Sequence, residues 1–175
     1  MRPEPFANFA LREQRERFAR SLDEVSRQLG QHYPLLLAGH AVRTPEERPS
    51  LNPAHPDRVI GHAADAGLSD VECAVESAHA AQPRWAGTSV EDRTAMLRRA
   101  AELLRQRRWW FAALEVLEVG KSWREADVDV VEAIEYLEYY SEQMLALAAG
   151  KPLPQLPGES NRLQYRPRGV CAVIA

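Results

Sequence analysis

Ser122 to Ala149 reads SWREADVDVVEAIEYLEYYSEQMLALAA. Ser122 is followed three residues later by Glu125, the spacing at which each side chain satisfies an orphan backbone donor of a helix's first turn. Asp127 and Asp129 add negative charge near the positive end of the helix dipole. Neither Pro nor Gly interrupts the run before Gly150 and Pro152 stop it. At about 100° per residue, Val130, Ile134, Leu137, Ser141, Met144 and Ala148 share one face, the expected core side. Glu132 falls opposite them with Val128, Tyr136, Tyr139 and Gln143. An amphipathic helix normally shows charge and small polar groups on that far side, whereas here it is aromatic around a carboxylate. Two readings stand for it. One is a surface face of amphipathic tyrosines; the other is a semi-buried acid facing a ligand or another domain.

The rest of the chain is consistent with a globular α/β protein. Its 175 residues are enough for one domain with a real core, and 45% hydrophobic with 27% charged residues is not a disordered composition. A net charge of −3 argues against a nucleic-acid partner, which calls for a basic footprint. No apolar run approaches the roughly 18–20 residues of a membrane span, and the N-terminus lacks a signal-peptide core. Cys73 and Cys171 are too few and too distant for a disulfide framework, so a reducing, cytoplasmic setting is expected.

Upstream, Leu11 to Leu29 predicts a first helix, with Phe18, Leu22, Val25 and Leu29 on one face and Gly30 as the stop. It reads with residues 1–30 as a docking arm on a larger body. Leu35–Leu37 and Ala41–Val42 predict a hairpin turning near Gly39 and His40. Ser50 to Pro56 reads as turn chemistry, followed by a short strand from Val59 to about Ala66. His40, His55 and His62 match no common ligand spacing, so no metal centre is expected.

A helix is expected from Ser69 to about Trp85, ended at the Gln82–Pro83 step. Another runs from Ser89 to Val119, with Met96, Leu97, Ala100, Leu103, Leu104, Phe111 and Leu114 on its core arc. Trp109 falls opposite that arc and is expected to be exposed or held by a partner. The RQRRWW patch mixes basic and aromatic residues, but Arg107 and Arg108 lie on opposite flanks and form no nucleic-acid stripe. Gly120-Lys121-Ser122 imitates the end of a phosphate-binding loop. The glycine that such a loop needs five residues earlier is Glu115, so Gly120 reads as a helix stop and Ser122 as the next cap.

After the long helix, KPLPQLPGES is a stiff Pro-rich spacer. Leu163 and Tyr165 alternate with Gln164 and Arg166 as a half-exposed strand. VCAVIA, Val170 to Ala175, is apolar at every position, as in a strand buried on both faces. Such a strand needs neighbours and crossover helices, so the chain is expected to begin a larger α/β protein.

In order, YPLLLAGHAVRT, SLNPAHPDRVIG, LRRAAELLRQRR, LEVLEVGKSWREADVDVVEAIEYLEYY, KPLPQLPGESNRLQYRPRGV and CAVIA resemble the N-terminal third of the aldehyde dehydrogenase superfamily. Within it the chain looks most like the 1-pyrroline-5-carboxylate (L-glutamate γ-semialdehyde) dehydrogenase branch. That resemblance implies an α/β fold of helices and short strands ending in the first strand of a Rossmann-like sheet. Its parts are an arm and helix (1–30), the beginning of an NAD-binding domain (31–158), an oligomerisation flap (159–168) and that first strand (169–175). It implies NAD as cofactor, a small-molecule substrate and a homo-oligomeric parent enzyme. The family's chemistry uses a cysteine nucleophile and a glutamate-activated water, and neither matches a residue of this chain. Glu132 matches the helix glutamate lying near the substrate's α-amino group in that branch, which favours the second reading of the tyrosine face. Ile174 and Ala175 match a strand end beside the cofactor. Two alternatives are a non-catalytic interaction module derived from the same scaffold and a general aldehyde dehydrogenase of another substrate class.

Overall fold

The computed structural model describes residues 3–174. Helix α1 (Arg12–Ser26) leads into strands β1 (Gln31–Tyr33), β2 (Leu35–Leu37), β3 (His40–Val42), β4 (Glu47–Asn52) and β5 (His55–Ala64). Four helices follow: α2 (Leu68–Ala86), α3 (Val90–Gln106), α4 (Arg108–Val119) and α5 (Trp123–Ala149).

The core lies where α1, α3, α4 and α5 meet. Phe18, Ala101, Ala112, Ala126, Val130 and Ile134 are buried there, with Phe9, Trp109 and Trp123 packed against them. Burying a side chain the size of Phe, Ile or Val contributes about 1.5–3 kcal/mol each. Alanines on α3, α4 and α5 let the backbones approach, and Phe18 and Trp123 fill the gap with ring centroids 4.8 Å apart. Phe9, from the N-terminal arm, meets the edges of Phe18 and Trp123 at 5.4 and 5.8 Å.

The strands form two small sheets. In one, ordered β1-β5-β4, β1 runs parallel to β5 and β4 antiparallel to it. A Cβ on Gly61 of β5 would stand 2.8 Å from the Tyr33 ring, so the close approach of β1 requires glycine there. The other sheet is the expected hairpin, β2 with β3. Its two turn residues, Ala38 (φ 52°) and Gly39 (φ 84°), both take positive φ, as the tight primed turn demands.

Several expectations need correction. α1 ends at Ser26, and Gly30 instead opens the sheet, its N–H donating to the Ile60 carbonyl at 2.9 Å. Ser50 to Pro56 is not all turn: Ser50–Asn52 complete β4, and only Pro53 and Ala54 separate it from β5. The Asn52 side-chain oxygen accepts from the N–H groups of Ala54 and His55, which tightens that connection. α2 does not stop at Pro83 but passes through it to Ala86. So near the helix end, the missing N–H costs a single bond of the last turns.

The helix expected from Ser89 to Val119 is two helices, broken at Arg107 (φ −106°, ψ 15°). Within α3, Thr94 and Ala101 are buried while Met96, Leu97 and Leu103 are exposed, so the helix buries a different face from the expected arc. The step at Arg107 resets the phase of α4 and turns Trp109 onto the core cluster, half-buried rather than exposed. Beyond Gly150, residues 151–174 contain no helix or strand, and Leu163 and Tyr165 are exposed. The strands expected at 163–166 and 170–174 find no hydrogen-bonding neighbour among the described residues, and an unpaired segment is not a strand.

Candidate functional site on the tyrosine face of the long helix

Both bonds of the predicted capping box start α5: Glu125 N–H donates to Ser122 Oγ (3.3 Å) and Ser122 N–H to Glu125 Oε2 (3.1 Å). The Ser122 hydroxyl, donating to Glu125 Oε2 at 2.7 Å, and then the Ser122 N–H, with Lys121 nearby, hold the Glu125 carboxyl below the usual carboxylate range. Gly120 precedes the cap at φ 77°, a left-handed stop to α4. On the core side Val130, Ile134 and Ser141 are buried and Leu137 and Met144 partly so, as expected, whereas Ala148 is exposed.

With that face anchored, Glu132 points outward. Its Oε1 accepts a hydrogen bond from Tyr136 Oη at 3.1 Å, one turn along the helix. The bond first, and the negative charge second, push the Tyr136 phenol above its ordinary range. Tyr136 stacks loosely on Tyr140 (5.9 Å), which meets Tyr139 edge-on (5.4 Å). All three rings and Glu132 are exposed. The result is a carboxylate with one oxygen held by a neutral donor and further lone pairs open, backed by aromatic faces. That combination suits an ammonium group, by charge-assisted hydrogen bonding and by the attraction of cations to ring faces.

The N-terminal half of α5 performs a different task, which sequence reasoning missed. Asp127 is buried and takes a two-pronged bond from Arg108, Nε to Oδ1 at 2.7 Å and Nη2 to Oδ2 at 2.8 Å. Asp127 Oδ2 also accepts the Ala7 N–H at 2.8 Å, and Arg108 Nη1 donates to the Pro5 carbonyl at 2.8 Å. Beside them Arg105 bonds Glu4, Glu102 and Glu138, with Glu4 doing most to hold its guanidinium protonated. These contacts clasp the arm along α5. Asp127, Val130, Val131 and Ile134 share helical spacing, so an acid within the core stripe was the available signal.

The other candidates stand apart. Ile174 is 94% exposed, and Ala175 lies outside the described residues. Cys73 on α2 and Cys171 in the tail are free thiols at the surface. His62 stacks on His32 (4.6 Å) in one sheet while His40 sits in the other. Among the described residues no cluster of three or more His, Cys, Asp or Glu is arranged to hold a metal, and no helix is long and apolar enough to cross a membrane.

Residues 41–175 match the aldehyde dehydrogenase family. The 1-pyrroline-5-carboxylate dehydrogenase of Bacillus pumilus is 44% identical over 171 residues, covering 98% of this chain and 33% of that protein. The Bacillus subtilis 1-pyrroline-5-carboxylate dehydrogenase 2 is likewise 44% identical, with the same coverage. The solved structure of Thermus 1-pyrroline-5-carboxylate dehydrogenase with bound NAD superimposes with a TM-score of 0.84 at 40% identity, covering 93% of this chain and 32% of that one. The chain thus spans about a third of the length of the curated relatives it matches. With the family matched over residues 41–175 and relatives 44% identical across 98% of its length, this chain belongs to the aldehyde dehydrogenase family.

Proposed function

We propose that this chain is the N-terminal third of an NAD-dependent dehydrogenase that oxidises L-glutamate γ-semialdehyde, the open form of 1-pyrroline-5-carboxylate, to L-glutamate in proline breakdown. In this reading Glu132 pairs with the substrate's α-ammonium group. The observation that carries it is the Glu132 carboxylate itself, fixed by Tyr136 on an exposed aromatic face. Simple aldehydes lack the ammonium group that such a carboxylate would hold. Relatives bearing that enzyme's name match 98% of the chain, which supports the same substrate.

Ile174, expected beside the cofactor, lies in a segment (151–174) that contains no helix or strand. NAD enters this reading through the relatives alone, among them the Thermus enzyme crystallised with it. Neither Cys73 nor Cys171 is proposed as the nucleophile. The parent enzyme is proposed to be a cytoplasmic homo-oligomer in which residues 159–168 pair across subunits.

The test is NADH formation, followed by absorbance, with glutamate semialdehyde and NAD. The chain alone is expected to be inactive. Joined to the remaining two thirds of the Bacillus subtilis relative, it is expected to support turnover. Turnover by the chain alone, or none by the joined protein when the relative itself is active, would contradict the proposal.

A further inference from the structure

The α3–α4 break leaves a cleft that the tyrosine face does not use. It encloses about 400 Å³ between α1 and the Arg107 joint, with Trp109 and Trp110 as its aromatic walls. Arg17, from α1, lies over the Trp109 ring at 5.0 Å. Arg107, from the opposite side, lies over Trp110 at 4.5 Å. A stacked guanidinium uses its face and keeps its in-plane N–H groups free to donate. Neither arginine has a carboxylate partner among the described residues. Ser21 adds a hydroxyl, Gln28 accepts from Trp110 Nε1 at 3.3 Å, Gln106 donates to Glu102 at 3.0 Å, and Glu24 is the acidic residue of the lining.

The geometry points to a binding site for a small phosphate-bearing anion, gripped by Arg17 and Arg107 from the two walls. One guanidinium fork satisfies a planar carboxylate. A tetrahedral phosphate offers oxygens in several directions and can take two forks at once. The indoles stiffen both arginines, which lowers the ordering cost of capture. The site is separate from the Glu132 face and does not depend on the substrate assigned there.

Trp109 and Trp110 provide the signal. Intrinsic fluorescence of the full chain is followed during titration with inorganic pyrophosphate, with potassium chloride of matched ionic strength as control. A saturable change with a dissociation constant of about 1 mM or tighter is expected. Both arginines are exposed, so Arg17→Ala/Arg107→Ala should retain the native circular dichroism and bind at least about tenfold more weakly. Acetate, with a single carboxylate, should also bind at least about tenfold more weakly than pyrophosphate. A pyrophosphate response no different from chloride, an unchanged affinity in the double variant, or equal affinity for acetate would overturn the proposal.

Discussion

Glu132 and Tyr136 are four residues apart on one helix face, so their hydrogen bond is made within α5. It removes rotamer freedom from a carboxylate that would otherwise sample solvent, and leaves that carboxylate the stronger partner for a cation. Because Tyr136 donates to a negative acceptor, its phenol resists ionisation and its folded pKa lies above the ordinary phenol value of 10.0. Glu132→Gln takes away the charge and the better acceptor together. Tyr136 should then ionise at lower pH, moving toward that ordinary value. An ultraviolet difference titration of the variant against the parent isolates this tyrosine from the other four. An unchanged titration would mean that the bond is not populated in solution.

The helices show how much could be read beforehand and where reading failed. The Ser122–Glu125 cap, the core stripe of α5 and the Gly120 stop were all legible, because they follow from local backbone demands and one period. The break at Arg107 was not. Its cause is tertiary, since a continuous helix could not both present Arg108 to Asp127 and turn Trp109 onto Phe18. β1 and most of β4 were missed for a related reason: QHY and ERPSLN carry little alternation and become strands by pairing with β5. Two predictions belong at this scale. Asp127→Ala leaves buried Arg108 only its looser contact with Glu4 (3.8 Å), and the Ala7 N–H without an acceptor, so urea unfolding should show a loss of about 3 kcal/mol, the low end for a broken buried pair. A loss below about 1 kcal/mol, the range of an exposed pair, would show that the arm is not clasped. Gly120→Ala forces a side chain into left-handed backbone and sets its Cβ 2.9 Å from Pro53 Cγ. The same measurement should give a loss of at least about 1–2 kcal/mol, and a neutral result would contradict the left-handed stop between α4 and α5.

Across the whole molecule, the apolar surface is unevenly covered. The junction of α1, α3, α4 and α5 is closed, while Trp85, Met96 and Tyr140 line an open groove of about 360 Å³ and the 151–174 tail lies exposed. Exposed patches of this kind mark surfaces that meet other protein, in keeping with a chain that spans a third of its relatives. The tyrosine face is accessible in the same way, and the Glu132–Tyr136 pair stabilises α5 by only about 0.2–0.5 kcal/mol. Its proposed role is to meet substrate. The most direct test compares kcat/KM for glutamate semialdehyde with that for an uncharged aldehyde, using this chain joined to the remainder of the Bacillus subtilis relative. Glu132→Gln should lower the first by about ten- to a hundredfold and leave the second nearly unchanged. An equal loss on both substrates would contradict the assignment of Glu132 to the ammonium group.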